Sequence, residues 1–133
     1  MYKTTSMNFS DVLKRYSEED IPTFGGKRLT DVNQVGSDGD RPLHKASIRG
    51  NIADAVALIV GHADVNAAGE MGYTPLQYAV TFDHPELVSA LIAHGAKDEF
   101  TNEFGINART IAKQKSLEDI LQLLEANFGK NAV

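Results

Sequence analysis

The stretch GYTPLQYAV, residues 72–80, decides the fold, because it recurs along the chain at a fixed interval. GDRPLHKAS (39–47) precedes it and GINARTIAK (105–113) follows it, so that Gly39, Gly72 and Gly105 start three equally spaced copies. Each copy carries an alanine at the same place, namely Ala46, Ala79 and Ala112. Three copies in step indicate a repeat architecture, in which each copy stacks on the next.

The central copy predicts two short helices and a reversal. Thr74 is a suitable N-cap because its hydroxyl can accept from a free backbone N–H, and Pro75 follows where its missing N–H costs nothing. The second helix is predicted to begin at 83–86, DHPE, with its aspartate as an acidic cap. Gly95 ends that helix, where a left-handed residue is favoured. His62 takes the position of Gly95 one copy earlier, so we expect a non-glycine residue with positive φ there.

These motifs resemble those of the ankyrin repeat, a family whose copies read G-x-T-P-L-H-x-A and G-A-D-V-N-A. GYTPLQYA (72–79) and HADVNA (62–67) are similar to the two signatures, and the likeness covers about residues 38–128. The resemblance implies an all-α solenoid of about three helix-turn-helix repeats. It also implies that His44, which keeps the histidine of the motif, hydrogen-bonds neighbouring backbone.

The first and third copies depart from this pattern. Arg41 stands at the cap position that Thr74 fills, so the first copy is expected to lack a side-chain cap. In the third copy Asn107 is able to cap, but Arg109 replaces the leucine of the motif. Since the outer face of a last repeat meets water, we expect Arg109 to be solvated.

The N-terminal part is expected to cap the stack. NFSDVLKRYSEED (8–20) predicts a helix capped by Ser10, and Pro22 with the following glycines predicts a short extended segment after it. Residues 1–7 and the tail are expected to be frayed. The predicted division is an N-terminal capping element at 1–38, repeats at 39–71 and 72–104, a C-terminal capping repeat at 105–128 and a tail at 129–133.

Composition narrows the class of protein. The chain of 133 residues is 42% hydrophobic, holds no cysteine and carries a net charge of −5. Because its apolar runs are too short for a membrane span or a signal peptide, we expect a cytoplasmic location and no membrane partner. The acidic balance disfavours nucleic acid as a partner, since nucleic-acid binders usually present a basic face.

The sequence offers no recognisable catalytic or metal-binding pattern. The four histidines lie in the repeat motif or near turns, and no pair has the one-turn helical spacing of metal ligands. Gly25-Gly26-Lys27 lacks the spacing of a phosphate-binding loop, and no nucleophile motif surrounds the serines. We therefore expect no catalytic residues, no cofactor and no metal. A hydrolase stays a remote alternative that requires a deep pocket with clustered acids whose pKa values are shifted.

Binding is expected at positions that the repeat does not need for stacking, namely the turn tips and the inner face of each first helix. Large side chains in the central copy suggest aromatic anchors, and the acidic tips suggest a basic partner. The competing interpretation is that Tyr73 and Phe82 pack on adjacent repeats and the acids only solvate the surface. The candidate partner-binding residues are Asp38, Asp40, Lys45, Arg49, Glu70, Met71, Tyr73, Tyr78, Thr81, Phe82, Glu103, Phe104 and Lys115.

The function favoured by the sequence is a non-catalytic protein-interaction module, monomeric when unbound. The chain is similar to small stand-alone bacterial ankyrin proteins, some of which act as immunity proteins that neutralise a cognate toxin, and a basic toxin domain would suit the acidic tips. One alternative is a scaffold or regulatory adaptor for another cytoplasmic protein. Another is a nucleic-acid binder, which requires a continuous basic patch made by Lys45, Arg49, Lys113 and Lys115.

Overall fold

The computed structural model describes residues 8–19 and 21–130, and the regular structure in this part of the chain is helical, without strands. The predicted all-α repeat fold is confirmed. Residues 1–7 and 131–133, most of the ends expected to fray, lie outside the described residues. The helices are α1 (Phe9–Glu18), α2 (Pro42–Arg49), α3 (Ile52–Val60), α4 (Pro75–Thr81), α5 (Pro85–Ala93), α6 (Ala108–Gln114) and α7 (Glu118–Phe128), with 3-10 turns at Pro22–Phe24 and Glu70–Gly72.

The helices form two layers. Helices α2, α4 and α6 contact one another in turn and make the inner layer, whereas α1, α3, α5 and α7 make the outer layer. Each inner helix also packs on the outer helix that follows it in the chain. One apolar core runs between the layers, and it includes Leu43, Leu58, Leu76, Leu91 and Leu124. The layers leave one surface of the inner helices, together with the turn tips, facing outward.

Side chains cap the inner helices as the sequence predicts. The Thr74 hydroxyl accepts from the Gln77 N–H at 3.2 Å, and the Asn107 carboxamide accepts from the Thr110 N–H at 2.9 Å. Arg41 makes no side-chain cap, as expected. Its own backbone N–H donates instead to Nδ1 of His44 at 3.0 Å.

His44 ties its helix to the loop that follows α3. Its Nε2 donates to the carbonyl of Ala67 at 2.8 Å, so the expected bond to neighbouring backbone is confirmed. In the next repeat the carboxamide of Gln77 makes the same link, to the carbonyl of Phe100 at 2.9 Å. Burial is the main cause that lowers the pKa of His44, and it outweighs the hydrogen bond to Ala67. The imidazole is therefore held neutral.

Positive φ angles mark the ends of several helices. His62 has φ 77° and Gly95 has φ 100°, so the expected left-handed histidine is confirmed. The predicted acidic cap of α5 is wrong: Asp83 has φ 57°, and His84 stands at the N-cap without a side-chain cap bond. The reason is that Asp83 occupies the position of Gly50, where the chain turns after an inner helix in a left-handed conformation.

Two asparagines join successive loops. The side chain of Asn33 donates to the His62 carbonyl at 3.1 Å and accepts from the Asp64 N–H at 2.8 Å. Asn66 repeats both bonds one repeat later, with the Gly95 carbonyl at 3.2 Å and the Lys97 N–H at 3.0 Å. These bonds fix the loop spacing from repeat to repeat.

The cap of α1 differs from the prediction. Asn8, not Ser10, is the N-cap, because its carboxamide accepts from the Asp11 N–H at 3.0 Å while the Asp11 carboxylate accepts from the Asn8 N–H at 3.3 Å. This reciprocal pair satisfies two free donors of the first turn. The segment after the helix forms the 3-10 turn Pro22–Phe24, which buries Phe24.

Helix α1 docks on α3 with the opposite chain direction. Near its C-terminal end, Arg15 donates to the Asp54 carboxylate at 2.5 and 3.0 Å, and the Tyr16 hydroxyl donates to it at 2.9 Å. Near its N-terminal end, the Phe9 ring lies over Gly61, where a Cβ would be only 2.5 Å from the ring. The contacts at both ends fix α1 against the first repeat.

The prediction for Arg109, in the last repeat, is wrong. This residue is buried, not solvated, and its guanidinium donates to the Asp98 carboxylate at 2.8 Å. The physical reason is that Asp98 replaces the valine that stands at this register position in the two earlier loops (Val32 and Val65). The buried carboxylate therefore supplies a partner that the repeat pattern alone does not reveal.

Candidate interaction surface

Four aromatic rings follow one another along the central repeat. Tyr73 stacks on Tyr78 with ring centroids 5.2 Å apart, Phe104 meets Tyr73 edge-on at 6.5 Å, and Phe82 lies 6.4 Å from Tyr78. We call Phe104, Tyr73, Tyr78 and Phe82 the aromatic strip. The strip starts at the tip of the third repeat and ends at the C-terminal end of α4.

Exposure differs along the strip. Phe104 and Phe82, at its two ends, are 64% and 49% exposed, and Tyr73 is half-buried. Tyr78 is only 9% exposed, so the expectation that it presents a free ring is wrong. The Tyr78 ring is covered by its neighbours and supports the strip from below. The competing interpretation, that Tyr73 and Phe82 pack on adjacent repeats, agrees with the half-buried ring of Tyr73. It does not agree with the exposed ring of Phe82.

Asp40 is the second residue whose expected exposure is wrong, because its side chain is fully buried. Its carboxylate accepts from the Tyr78 hydroxyl at 3.0 Å, from the Glu70 N–H at 2.8 Å and from the Lys45 ammonium at 3.0 Å. Burial would make a lone carboxylate costly, and these donors offset that cost. Asp40 therefore orients Tyr78 and cannot reach a partner directly.

Burial and hydrogen bonding determine the ionisation states of Tyr78 and Lys45, the two side chains that donate to Asp40. Burial raises the pKa of Tyr78, and the carboxylate of Asp40 raises it further, so the hydroxyl stays a donor. Burial also opposes the charge on Lys45, but its hydrogen bonds to Asp40 and Asp38 outweigh this effect and raise the pKa of Lys45. Lys45 is therefore an ammonium that neutralises carboxylates of its own chain.

The tips beside the strip are acidic. Glu70 and Glu103 are exposed, whereas Asp38 is half-buried and binds the Thr23 hydroxyl of the N-terminal part. The carboxylates of Asp38, Asp40 and Glu70 lie within 4.8 Å of one another. Since Lys45 bridges two of the three with a single positive charge, the cluster keeps an excess of negative charge beside the aromatic rings.

Met71 stands at the tip of the second repeat in an unusual conformation. It has φ 54° and a half-exposed side chain, although a bulky residue rarely adopts the left-handed region. Its carbonyl accepts from the Glu103 N–H at 2.9 Å, which ties the second tip to the third. The tip thus presents an apolar side chain from a backbone position that neighbouring contacts fix.

The remaining predicted residues lie on the inner helices. Arg49 is paired with Glu19 at 2.6 Å and lies 5.0 Å from the ring centroid of Tyr16. The Thr81 hydroxyl donates to the Gln77 carbonyl of its own helix at 2.7 Å. Lys115 is exposed at the end of α6.

These pairings bear on the nucleic-acid alternative. Of the four cations that it requires, Lys45 is bound to Asp38 and Asp40, and Arg49 is bound to Glu19. Only Lys113 and Lys115 stand exposed without an ion pair to the described residues. The basic patch that this alternative needs is therefore half neutralised inside the chain.

A depression lies away from the strip, between α1 and residues 28–30. It has a volume of about 660 Å³ and is open to solvent. Its lining includes the carboxylates of Asp11 and Glu18 and the hydroxyl of Ser17, but no histidine. It is not the deep pocket with clustered acids that the hydrolase alternative requires.

Sequence reasoning did not identify Thr23 and Glu19 as partners of the candidate surface. Thr23 binds Asp38 from 15 positions earlier in the chain, and Glu19 neutralises Arg49 on α2. Both belong to the N-terminal part, which follows the repeat motif only weakly. A helical periodicity gives no signal for such long-range pairs.

Comparison with known proteins decides the family. A family model for ankyrin repeats, in three copies, matches residues 7–102. The chain is an ankyrin-repeat protein. The matched region starts inside the N-terminal part that we treated as a cap, and it ends before the third copy of the GYTPLQYAV motif.

Several curated proteins, whose names refer to ankyrin repeats or to a regulatory role, are similar to this chain. Protein phosphatase 1 regulatory subunit 27 of Homo sapiens is 29% identical over 97 residues, which cover 73% of the chain and 63% of that protein. Putative ankyrin repeat protein YahD of Escherichia coli is 28% identical over 103 residues, covering 72% and 51%. RelA-associated inhibitor of Mus musculus is 32% identical over 79 residues, covering 59% and 10%. The chain thus spans less than two thirds of these relatives.

The ankyrin family and its relatives support a protein-interaction module. Among the described residues, no helix has both the length and the apolar character needed to cross a bilayer. The exposed part of the aromatic strip and the acidic tips are the features of this ankyrin stack that suit contact with another protein.

Proposed function

We propose that this ankyrin-repeat chain binds a protein partner through its inner helices and turn tips and catalyses no reaction. The observation that carries the proposal is the exposure of Phe82 and Phe104 at the two ends of the aromatic strip. Neither ring is needed to fill the core between the helix layers. Exposed aromatic side chains beside a rigid support are typical of interface anchors.

The charge around the strip favours a basic partner. Glu70 and Glu103 are exposed next to Tyr73 and Phe104, while the nearby cation Lys45 is already bound to Asp38 and Asp40. The chain as a whole carries a net charge of −5. Complementary charge would speed association and select against acidic proteins.

Two biological roles fit such a module. The first is an immunity protein that neutralises a cognate bacterial toxin, which the acidic tips and the bacterial relative YahD support. The second is a regulatory adaptor for another protein. This role is supported by the relatives named as a phosphatase regulatory subunit and as an inhibitor. A gene for a large toxin with a variable C-terminal domain, next to the gene for this chain, would favour the first role.

The test is affinity capture from native lysate with three baits: wild type, Phe82→Ala with Phe104→Ala, and an unrelated ankyrin protein. We expect a protein that the wild type retains and the double variant loses. Because both rings are exposed, the double variant should melt at the wild-type temperature. Equal recovery by the wild type and the double variant would contradict the assignment of the strip as the binding surface.

A further inference from the structure

The solvent face of α3 differs from those of the other outer repeat helices. Its exposed or half-exposed positions are apolar, whereas the equivalent positions of α5 and α7 carry mostly charged or polar side chains. The only charged residue of α3, Asp54, is buried and bound to Arg15 and Tyr16. The three sets are Ala53, Val56 and Val60 on α3, Glu86, Ser89 and Ala93 on α5, and Asp119, Gln122 and Ala126 on α7.

The apolar surface continues from α3 onto α1. Val60 is 68% exposed at the end of α3, and the partly exposed ring of Phe9 lies over the next residue, Gly61. We call Phe9, Ala53, Val56 and Val60 the apolar ridge. The ridge belongs to the outer layer of helices, whereas the aromatic strip belongs to the inner layer and the tips.

The fold does not require an apolar ridge. In the other repeats the same positions hold Glu86 and Ser89, or Asp119 and Gln122, and those repeats stack in the same way. A helix that is apolar on all sides is ordinarily covered by another element. A contiguous apolar surface on an otherwise polar outer layer marks a contact site for another molecule.

The charges on either side of the apolar ridge indicate which kind of molecule binds there. Helices α1 and α5 are the outer helices that contact α3, and they carry the exposed carboxylates Asp11 and Glu86, while α1 also carries the exposed cation Lys14. Neither carboxylate forms a salt bridge with the described residues. A second copy of the chain would bring acidic rims together, and an anionic bilayer would be repelled. A helix with an apolar stripe between lysine or arginine side chains meets both the ridge and its rims.

We propose that the apolar ridge binds a basic amphipathic helix of a protein partner, at a second interaction surface separate from the aromatic strip. The ridge buries the apolar stripe of that helix, and Asp11 and Glu86 pair with its flanking cations. This assignment does not depend on the proposed function of the strip, because no residue is shared between the two surfaces.

The experiment uses the full chain and a fluorescein-labelled basic amphipathic model peptide, LKKLLKLLKKLLKL, with binding followed by anisotropy. The main variant is Ala53→Glu with Val56→Ser and Val60→Ala, which gives α3 the surface that α5 already carries. We expect this variant to keep the wild-type melting temperature and to lose peptide affinity by about tenfold or more. The matched control is Gln122→Ala, at the exposed position of α7 that is equivalent to Val56 of α3, and it should bind the peptide as the wild type does.

A second variant keeps the test independent of packing. Glu86→Gln leaves every apolar contact and the cap of α1 at Asp11 in place, and it should weaken peptide binding and reduce its salt dependence. Wild-type affinity in the α3 variant would overturn the proposal, as would loss of affinity in the control. A concentration-dependent dimer that the α3 variant abolishes, measured by sedimentation, would also overturn it in favour of a second copy.

Discussion

Arg109 and Asp98 form a buried ion pair, with 2.8 Å between Nη2 and Oδ2, at a boundary where the earlier repeats are apolar. One repeat earlier the same two positions hold Leu76 and Val65, and two repeats earlier they hold Leu43 and Val32. Nε and Nη1 of Arg109 are buried and have no hydrogen-bond partner among the described residues. The ion pair therefore takes the place of apolar residues, but it leaves two buried nitrogen atoms of Arg109 without hydrogen bonds.

Replacing both members of this pair should not harm the fold. We predict that Asp98→Val with Arg109→Leu leaves the free energy of unfolding unchanged or raises it by about 1–4 kcal/mol, because it restores the residues of the earlier repeats. Arg109→Leu alone should lower it by about 3–5 kcal/mol, since Asp98 stays buried without its partner. Urea denaturation measures all three proteins. A double variant as unstable as the single one would show that the ion pair itself stabilises the last repeat.

The neutral state of His44 makes stability depend on pH. Because burial lowers its pKa below the ordinary 6.5, the unfolded chain binds a proton at higher pH than the folded chain. Its contribution is thus complete above about pH 6.5 and is lost as the pH falls toward the folded-state pKa. We predict a decline of at most about 1.4 kcal/mol per pH unit from this residue.

The matched variant for this prediction is His44→Gln, since Gln77 makes the equivalent bond one repeat later. Denaturation in urea at mildly alkaline, neutral and mildly acidic pH should show a smaller loss of stability in His44→Gln than in the wild type. Parallel pH profiles would mean that groups other than His44 cause the loss.

The left-handed conformation of His62 has an energetic cost that glycine avoids. His62 has φ 77°, and Gly95 fills the same position one repeat later. We predict that His62→Gly raises the melting temperature. The expected net gain in the free energy of unfolding is up to about 1 kcal/mol, after the larger flexibility of glycine in the unfolded chain is included. Calorimetry of the two proteins measures the change. A lower melting temperature in the variant would indicate that other contacts of His62 outweigh its backbone strain.

Tyr78, in the middle of α4, and Phe82, at its C-cap, should respond differently to substitution. Tyr78→Phe removes the hydroxyl that donates to buried Asp40 and should lower the free energy of unfolding by about 1–3 kcal/mol. Phe82→Ala changes an exposed ring and should stay within about 0.5 kcal/mol of wild type. Chemical denaturation compares the two variants. A loss at Phe82 as large as that at Tyr78 would place Phe82 in the core.

The spacing of short motifs was sufficient to predict the fold. The constant register of the repeated motif predicted the helix pairs, and local chemistry predicted the caps Thr74 and Asn107 and the left-handed His62. These features depend on a few neighbouring residues, so their signals are contained in the local sequence. The prediction failed for Ser10, because the nearby Asn8 forms a reciprocal bond with Asp11.

Burial at the candidate surface was less predictable. Asp40 and Tyr78 are 38 positions apart, and a hydrogen bond joins their two buried side chains. Arg109 is buried because Asp98 replaces a valine in the preceding loop. Register alone places such residues at a tip or on a face, but only the folded chain shows which polar partner covers them.

The most direct measurement for the central claim is the affinity of the captured partner for the wild type and for Phe82→Ala with Phe104→Ala, by isothermal calorimetry. We predict that the double variant, with an unchanged melting temperature, binds at least about tenfold more weakly, because its exposed anchors are missing. Equal affinities would contradict the account, since they would mean that the partner does not use the ends of the aromatic strip.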